Sequence, residues 1–254
     1  MTVKPPAELF SLKGRTALVT GASKGIGREL ARGLALAGAD VVIASRSKAE
    51  LDEALEYILD GTSSQGACIE ADLSRREEAV RTAAEALEAF GRIDVLVSNA
   101  GRNLQEPIDQ ITYEAWDEVI GTHLTTGMIL TRELVPQMKE RGWGRLIYTA
   151  SILGFQGLQA REAYSAAKAG VMGFCRSVAN DVGPFGITAN CIVPGAIATE
   201  AIKKYGSGPA AARSPLERVA EPEELVGPLL LLASDAGSFI TGTSLVVDGG
   251  WLVK

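Results

Sequence analysis

The sequence predicts an α/β fold in which a seven-stranded parallel sheet is doubly wound, with helices on both faces. Short runs rich in Val, Ile and Leu alternate with longer stretches of helical periodicity along the whole chain. Several of those runs are apolar nearly end to end, as in Val41-Val42-Ile43 and Val95-Leu96-Val97, which suits strands covered by helices on both sides. The 254 residues, 46% of them hydrophobic, can bury a substantial core, and no linker-like, repetitive or low-complexity tract divides them; a single domain spanning 1–254 is expected.

The first strand, 16–20, runs into Gly21-Ala22-Ser23-Lys24-Gly25-Ile26-Gly27 and then a helix at 28–37 that closes at Gly38. A second strand follows at 40–45. Ser47 with Glu50 reads as a capping box opening a helix that ends at Gly61. The third strand is expected at 67–71, with Ser74 and Glu77 as a second capping box and Gly91 as the stop. Strands at 93–98 and 145–150 flank a helix at 125–138. A long helix at 161–182 is stopped by Gly183-Pro184, ahead of a strand at 187–193. The stretch 199–219, rich in Ala, Gly, Ser and Pro, follows a late strand, where such folds place loops that close over ligands, and reads as a substrate flap. Pro222 suits the first turn of a further helix, and a last strand is expected at 245–248.

Composition narrows the function. The 25 basic against 31 acidic residues leave a net charge of −6, which argues against a nucleic-acid partner held by backbone charge. Cys68, Cys175 and Cys191 are odd in number, lie in apolar runs and lack metal-ligand spacing, so they read as reduced core thiols, with no metal site. The opening stretch carries no apolar run of signal-peptide length, and the densest one, 229–233, is too short to cross a bilayer. A cytoplasmic protein with no membrane partner is expected.

A strand, a glycine-rich turn and a helix in succession form a pyrophosphate site: the helix start offers unpaired N–H groups, and glycines let the ligand approach the backbone. The spacing here is G-x-x-x-G-x-G. At the end of the second strand, where NAD-preferring sites place an acid against the ribose hydroxyls, the chain has Ser45-Arg46. A guanidinium pairs with a 2′-phosphate and Lys24 adds a second cation, so NADP(H) is the expected cofactor. Tyr164 and Lys168 stand four apart in the long helix, hence on one face. A neighbouring ammonium should lower the pKa of the phenol, letting it act as general acid toward a carbonyl or as base toward an alcohol. Ser151, just past the fifth strand, is placed to hydrogen-bond the reacting oxygen.

With these residues in order, the chain resembles the short-chain dehydrogenase/reductase family over nearly its whole length. The shared features are Thr20-Gly21-x-x-x-Gly25-x-Gly27, Asp72-Leu73, Asn99-Ala100-Gly101, Ser151, Tyr164-x-x-x-Lys168, Pro194-Gly195-x-x-x-Thr199 and Ile240-Thr241-Gly242 with Val247-Asp248-Gly249-Gly250. The resemblance implies a Rossmann-like fold and a hydride transfer between a nicotinamide cofactor and a carbonyl/secondary alcohol pair. It implies that Asp72 holds the adenine amino group with Leu73 against the ring, and that Asn99 steadies the sheet beside the cofactor. Tyr164 would be the proton donor or acceptor, Lys168 would bind the nicotinamide ribose and tune Tyr164, and Ser151 would orient the substrate oxygen. Ile197 would meet the carboxamide through its backbone, with Thr199 nearby.

Two positions depart from the family pattern. Ser98 replaces the first Asn of Asn-Asn-Ala-Gly, and His123, the only histidine, stands where the family has an Asn at a helix distortion whose backbone carbonyl holds a water on the proton path. Either the backbone carries that role and His123→Asn is nearly silent, or the imidazole takes part. The expected substrate wall is 152–158, Asn103-Leu104 and the flap, with Phe155 lending apolar surface and Gln156, Gln159 and Asn103 leaving room for polyols. Leu9-Phe10-Ser11-Leu12-Lys13-Gly14 resembles members acting on gluconate, while a 3-oxoacyl thioester stays open. A catalytically silent NADP(H) sensor or scaffold on the same fold is the alternative function. The helix at 161–182 is apolar around most of its circumference, which predicts a homo-oligomer using it and the helix at 125–138; the resemblance implies a tetramer.

Overall fold

Runs apolar at every position bury themselves only between two helical layers, and the chain supplies both. The computed structural model describes residues 4–102, 104–199 and 208–254. Its strands are β1 (Thr16–Thr20), β2 (Asp40–Ser45), β3 (Gly66–Glu70), β4 (Val95–Ser98), β5 (Gly144–Thr149), β6 (Ile187–Pro194) and β7 (Ser244–Val247). They form one parallel sheet in the order β3-β2-β1-β4-β5-β6-β7. The helices are α1 (Pro6–Leu9), α2 (Gly25–Leu36), α3 (Lys48–Leu59), α4 (Arg76–Phe90), α5 (Tyr113–Ile120), α6 (Thr126–Arg141), α7 (Glu162–Val182), α8 (Gly208–Ala211) and α9 (Val226–Ala233).

Alternate strand residues divide between two cores, as the two-residue repeat requires. Leu18, Val42 and Leu96 pack with Ala83 of α4, Leu130 of α6 and Val171 of α7. Val19, Val41, Ile43 and Val97 pack on the other face with Leu34 of α2, Leu51 of α3 and Leu229 of α9. Among the described residues no helix is long and apolar enough to cross a membrane.

Element ends differ from the sequence reading where side chains found other partners. Ile93 and Asp94 precede β4: Asp94 is fully buried, accepts the Thr16 N–H at 3.0 Å and pairs with Arg92 at 2.5 Å. Ser47 caps α3 by accepting from the Glu50 N–H, but the Glu50 carboxylate turns to Ser23 and Lys24 instead of closing the box. Ser74 does not cap α4: its hydroxyl donates to Asp72 at 2.8 Å and Arg75 takes the cap position. A complete capping box forms instead between Glu221 and Glu224 around Pro222. Gly183 is right-handed, at φ −53°, and carries α7 on into a 3-10 turn, Gly183–Phe185.

Two features position the site. β1 lies between β2 and β4, so the winding direction reverses there and opens a crevice outside the carboxyl ends of β1 and β4. α5 and α6 are separated by one π-helical turn, Gly121–Thr125, and such bulges recur at functional sites.

Candidate active site

The crevice is stitched by two side chains. Thr20 Oγ1 accepts the N–H groups of Asn99 and Ala100, each at 3.0 Å. Asn99 Nδ2 donates to the carbonyls of Thr20 at 3.1 Å and Gly21 at 3.3 Å, and its Oδ1 accepts from Thr149 at 3.2 Å. The glycine turn is packed so tightly that a Cβ at Gly21 would lie 2.8 Å from Ala100 Cα, and one at Gly27 2.2 Å from the Gly21 carbonyl oxygen. Gly21 and Gly25 have φ +65° and +57°, a region that favours glycine. α2 begins at Gly25, three residues before the sequence reading placed it, so Gly25, Ile26 and Gly27 form its first turn. Lys24 holds the cap position without a side-chain hydrogen bond to the turn, which leaves the first amides for a ligand.

An outer cavity of about 580 Å³ lies against this turn, lined by Gly21, Ser23 and Lys24, by Ser45 and Arg46 at the end of β2, by Asp72 and Leu73 beyond β3, and by Asn99, Ala100 and Gly101 beyond β4. The fold adds a carboxylate that the sequence reading missed. Glu50, on the first turn of α3, accepts from Ser23 Oγ at 3.1 Å and pairs with Lys24 Nζ at 3.2 Å, while Ser45 Oγ donates to Ser23 Oγ at 3.1 Å. Lys24 and Ser23 hold the Glu50 carboxyl below its ordinary pKa.

An inner cleft of about 430 Å³ adjoins it through Asn99, Gly101 and Arg102. Ser151, Tyr164, Lys168 and His123 all line it, as do Ile26, Pro194, Gly195, Ile197 and Thr199. Gly195 presses on the closing segment, where a Cβ would lie 2.6 Å from Asp248 Cα. Lys168 is 4% exposed; its Nζ donates to the Thr149 carbonyl at 2.5 Å and lies 5.5 Å from the centre of the Tyr164 ring. Burial lowers its pKa to about 8. Burial raises that of Tyr164, against smaller downward pulls from the Ser151 hydroxyl and the Arg161 charge. This corrects the expectation that Lys168 lowers the phenol: its ammonium donates to a carbonyl at the cleft floor, and desolvation outweighs the downward pulls of Ser151 and Arg161.

His123 sits in the π turn, 7% exposed, its ring edge-on to Tyr164 with centroids 5.1 Å apart. Nε2 lies 3.1 Å from the Arg102 amide and 2.8 Å from its carbonyl, so either neutral tautomer finds a partner. Burial, and then the Lys168 charge, lower the pKa to about 3. The ring fits only because residue 101 is glycine; a Cβ there would lie 2.1 Å from His123 Cε1.

The arrangement fits a dinucleotide: uncapped amides and a glycine cradle for a pyrophosphate, polar groups at one end, and a hydroxyl, a phenol and an ammonium at the other. The substrate wall is partly revised. Ile152, Leu153 and Leu158 line the inner cleft, whereas Phe155 is 54% exposed and it, Gln156 and Gln159 are not among the lining residues. Asn103 and residues 200–207 of the expected flap lie outside the described residues. Ala210 and Trp251 line the cleft, and the Arg213 guanidinium lies 5.4 Å from the Trp251 ring centre. Arg102 and Arg161 also reach it, and no local sequence signal marks either.

A family model described as enoyl-(acyl carrier protein) reductase matches residues 21–252. The chain is 37% identical over 250 residues to 2-dehydro-3-deoxy-D-gluconate 5-dehydrogenase of Pseudoalteromonas atlantica, covering 96% of this chain and 98% of that protein. It is 34% identical over 246 residues to a 3-oxoacyl-[acyl-carrier-protein] reductase of Synechocystis, covering 96% and 100%. A solved structure from Beutenbergia cavernae, provisionally described as an NAD(P)-dependent gluconate 5-dehydrogenase and holding NADP at low occupancy, superposes with a TM-score of 0.91 at 39% identity, over 97% of this chain and 100% of that one.

Proposed function

The chain belongs to the short-chain dehydrogenase/reductase family, and we propose that it transfers a hydride between NADP(H) and a carbonyl/secondary alcohol substrate. Its relatives are dehydrogenases and reductases of such groups, so it acts as an oxidoreductase at CH–OH. The observation that carries the reading is the convergence of Ser151, Tyr164 and Lys168 on one cleft adjoining a glycine cradle.

When bound, the nicotinamide supplies or takes the hydride. Gly21 through Gly27 and the first amides of α2 hold the pyrophosphate, and Asp72 and Leu73 hold the adenine. Ile197 and Thr199 hold the carboxamide. Ser151 and Tyr164 grip the reacting oxygen from two sides. In reduction Tyr164 gives its proton to that oxygen; in oxidation it takes one. A phenol kept protonated by burial is suited to the first of these. Lys168 holds the nicotinamide ribose and, charged, steadies the phenolate left by proton donation. His123 acts by position, since an imidazole whose pKa is about 3 is neutral at working pH and carries no proton by titration.

Ser45, Arg46, Ser23 and Lys24 support NADP(H) over NAD(H), with Glu50 opposing a 2′-phosphate by its charge and by its hold on Lys24. The reading includes a flap over 199–219 and a cytoplasmic homotetramer, supported by three free cysteines and by the small outward residues of α7. The test is reduction of a ketone and keto-acid panel followed by NADPH absorbance, with Tyr164→Phe. Loss of turnover by a factor on the order of 100–10,000 is expected. Tight NADPH binding with no turnover, unchanged in Tyr164→Phe, would establish the sensor instead.

A further inference from the structure

We propose that the inner cleft continues past the reacting groups as an apolar slot walled by Leu153, Leu158 and Trp251, and that this slot takes an alkyl chain of the substrate, so that the carbonyl reduced belongs to an alkyl or acyl ketone and not to a polyol. This rests on the oxidoreductase reading and chooses among its substrates. Ser151 Oγ accepts the Leu153 N–H at 3.2 Å, and the 3-10 turn Ile152–Gly154 begins at once. Ile152, Leu153 and Leu158 therefore line the cleft next to the hydroxyl that grips the reacting oxygen. Whatever that carbon carries lies against them.

Trp251 arrives from the far end of the chain, and the fold is built to deliver it. The Asp248 carboxylate accepts the Gly250 N–H at 2.8 Å and the Leu252 N–H at 2.9 Å, which holds the 3-10 turn Trp251–Val253. Gly249 and Gly250 have φ +64° and +86°; a Cβ would lie 2.5 Å from Ser214 Oγ at the first and 2.8 Å from Pro215 Cγ at the second. Ser214 Oγ donates to the Gly249 carbonyl at 2.7 Å, and the Arg213 guanidinium, 5.4 Å from the ring centre, steadies the indole by cation–π attraction. The charged and amide side chains of the cleft are engaged with protein. Among the described residues no Asp, Glu or Gln lines it. Asn99 is held by Thr20, Gly21 and Thr149, and Arg102 pairs with Glu118. Arg161 donates to the Leu104 carbonyl and to Gln105, and Lys168 to the Thr149 carbonyl. Gln156 and Gln159, the candidates for reading a polyol, are not among the lining residues. A row of hydroxyls brought here would leave water without gaining partners, whereas methylenes gain by leaving it.

The probes are 2-butanone, 2-pentanone, 2-hexanone and 2-heptanone with NADPH, set against 5-keto-D-gluconate. In wild type kcat/KM is expected to rise about threefold per added methylene, on the order of 30-fold across the series, and to exceed that for the keto-polyol. Trp251→Ala should lower the value for 2-heptanone by a factor on the order of 10 and that for 2-butanone by about threefold or less, while NADPH affinity, read by fluorescence titration, stays in place. Trp251→Phe should recover part of the loss. Leu158→Gln, at a position 41% exposed where folding is not at stake, should flatten the series as well. A flat wild-type series, equal losses on short and long ketones, or a preference for 5-keto-D-gluconate overturns the slot. If wild type reduces none of these and no other ketone with either nicotinamide, the oxidoreductase reading fails instead. The slot is then decided by calorimetric titration of 2-heptanone: binding lost in Trp251→Ala and Leu158→Gln upholds it, and absent or equal binding overturns it.

Discussion

Replacing His123 by Asn tests the electrostatics of the site through stability alone. Burial and the Lys168 charge bring the imidazole from an ordinary 6.5 to about 3 in the fold. Between those values the unfolded chain binds a proton that the folded protein refuses, so the contribution is complete above pH 6.5 and is lost as pH falls toward 3. The slope is about 1.4 kcal/mol per pH unit, which makes the expected loss about 2 kcal/mol between pH 7.5 and pH 5. His123→Asn has no group titrating there and escapes that part of the acid loss, while carboxylates common to both proteins cancel in the difference. At pH 7.5 the variant should be less stable by about 1–2 kcal/mol, from a smaller side chain and an altered contact with Arg102. By pH 5 the gap should close or reverse. Urea unfolding of both proteins at pH 7.5, 6 and 5 reads this directly. Parallel curves at all three would refute the claim that the ring is buried neutral. Turnover of the variant at pH 7.5 should stay within about tenfold of wild type, because general acid–base roles are worth about 100-fold or more and the ring holds none.

Glu50→Gln should raise the NADPH/NADH preference in kcat/KM by a factor on the order of 10, by removing a charge that opposes the 2′-phosphate and releasing Lys24, while Arg46→Ala should lower it comparably. Unchanged ratios would move the selectivity elsewhere. Gly101→Ala should cost about 1–3 kcal/mol and depress the melting temperature by several degrees, and the double variant with His123→Asn should recover part of that, since the clash is with the ring. The Lys168 side-chain resonance of the cofactor-free protein should titrate near pH 8; an inflection near 10.5 would show the amine to be solvated.

Much of the site was legible because its parts are written in neighbouring residues. The glycine turn is seven consecutive residues, Gly21 through Gly27, and the pairing of Tyr164 with Lys168 follows from helical spacing. Glu50 was not, because it reaches Ser23 across 27 positions and was spent, in a local reading, on closing the Ser47 capping box. Phe155 was assigned to the substrate wall on hydrophobicity, but the 3-10 turn Ile152–Gly154 sends Ile152 inward and leaves Phe155 in solvent.

By itself the sequence determined the alternation of strands and helices and marked the glycine turn and the groups proposed to react, since periodicity and spacing are properties of adjacent residues. The tertiary structure alone decided that burial outweighs the Ser151 and Arg161 pulls at Tyr164, that the His123 ring packs edge-on against the phenol, and that Arg161 faces the cleft. Desolvation and charge are sums over everything packed around a group, and those neighbours come from elements far apart in the chain.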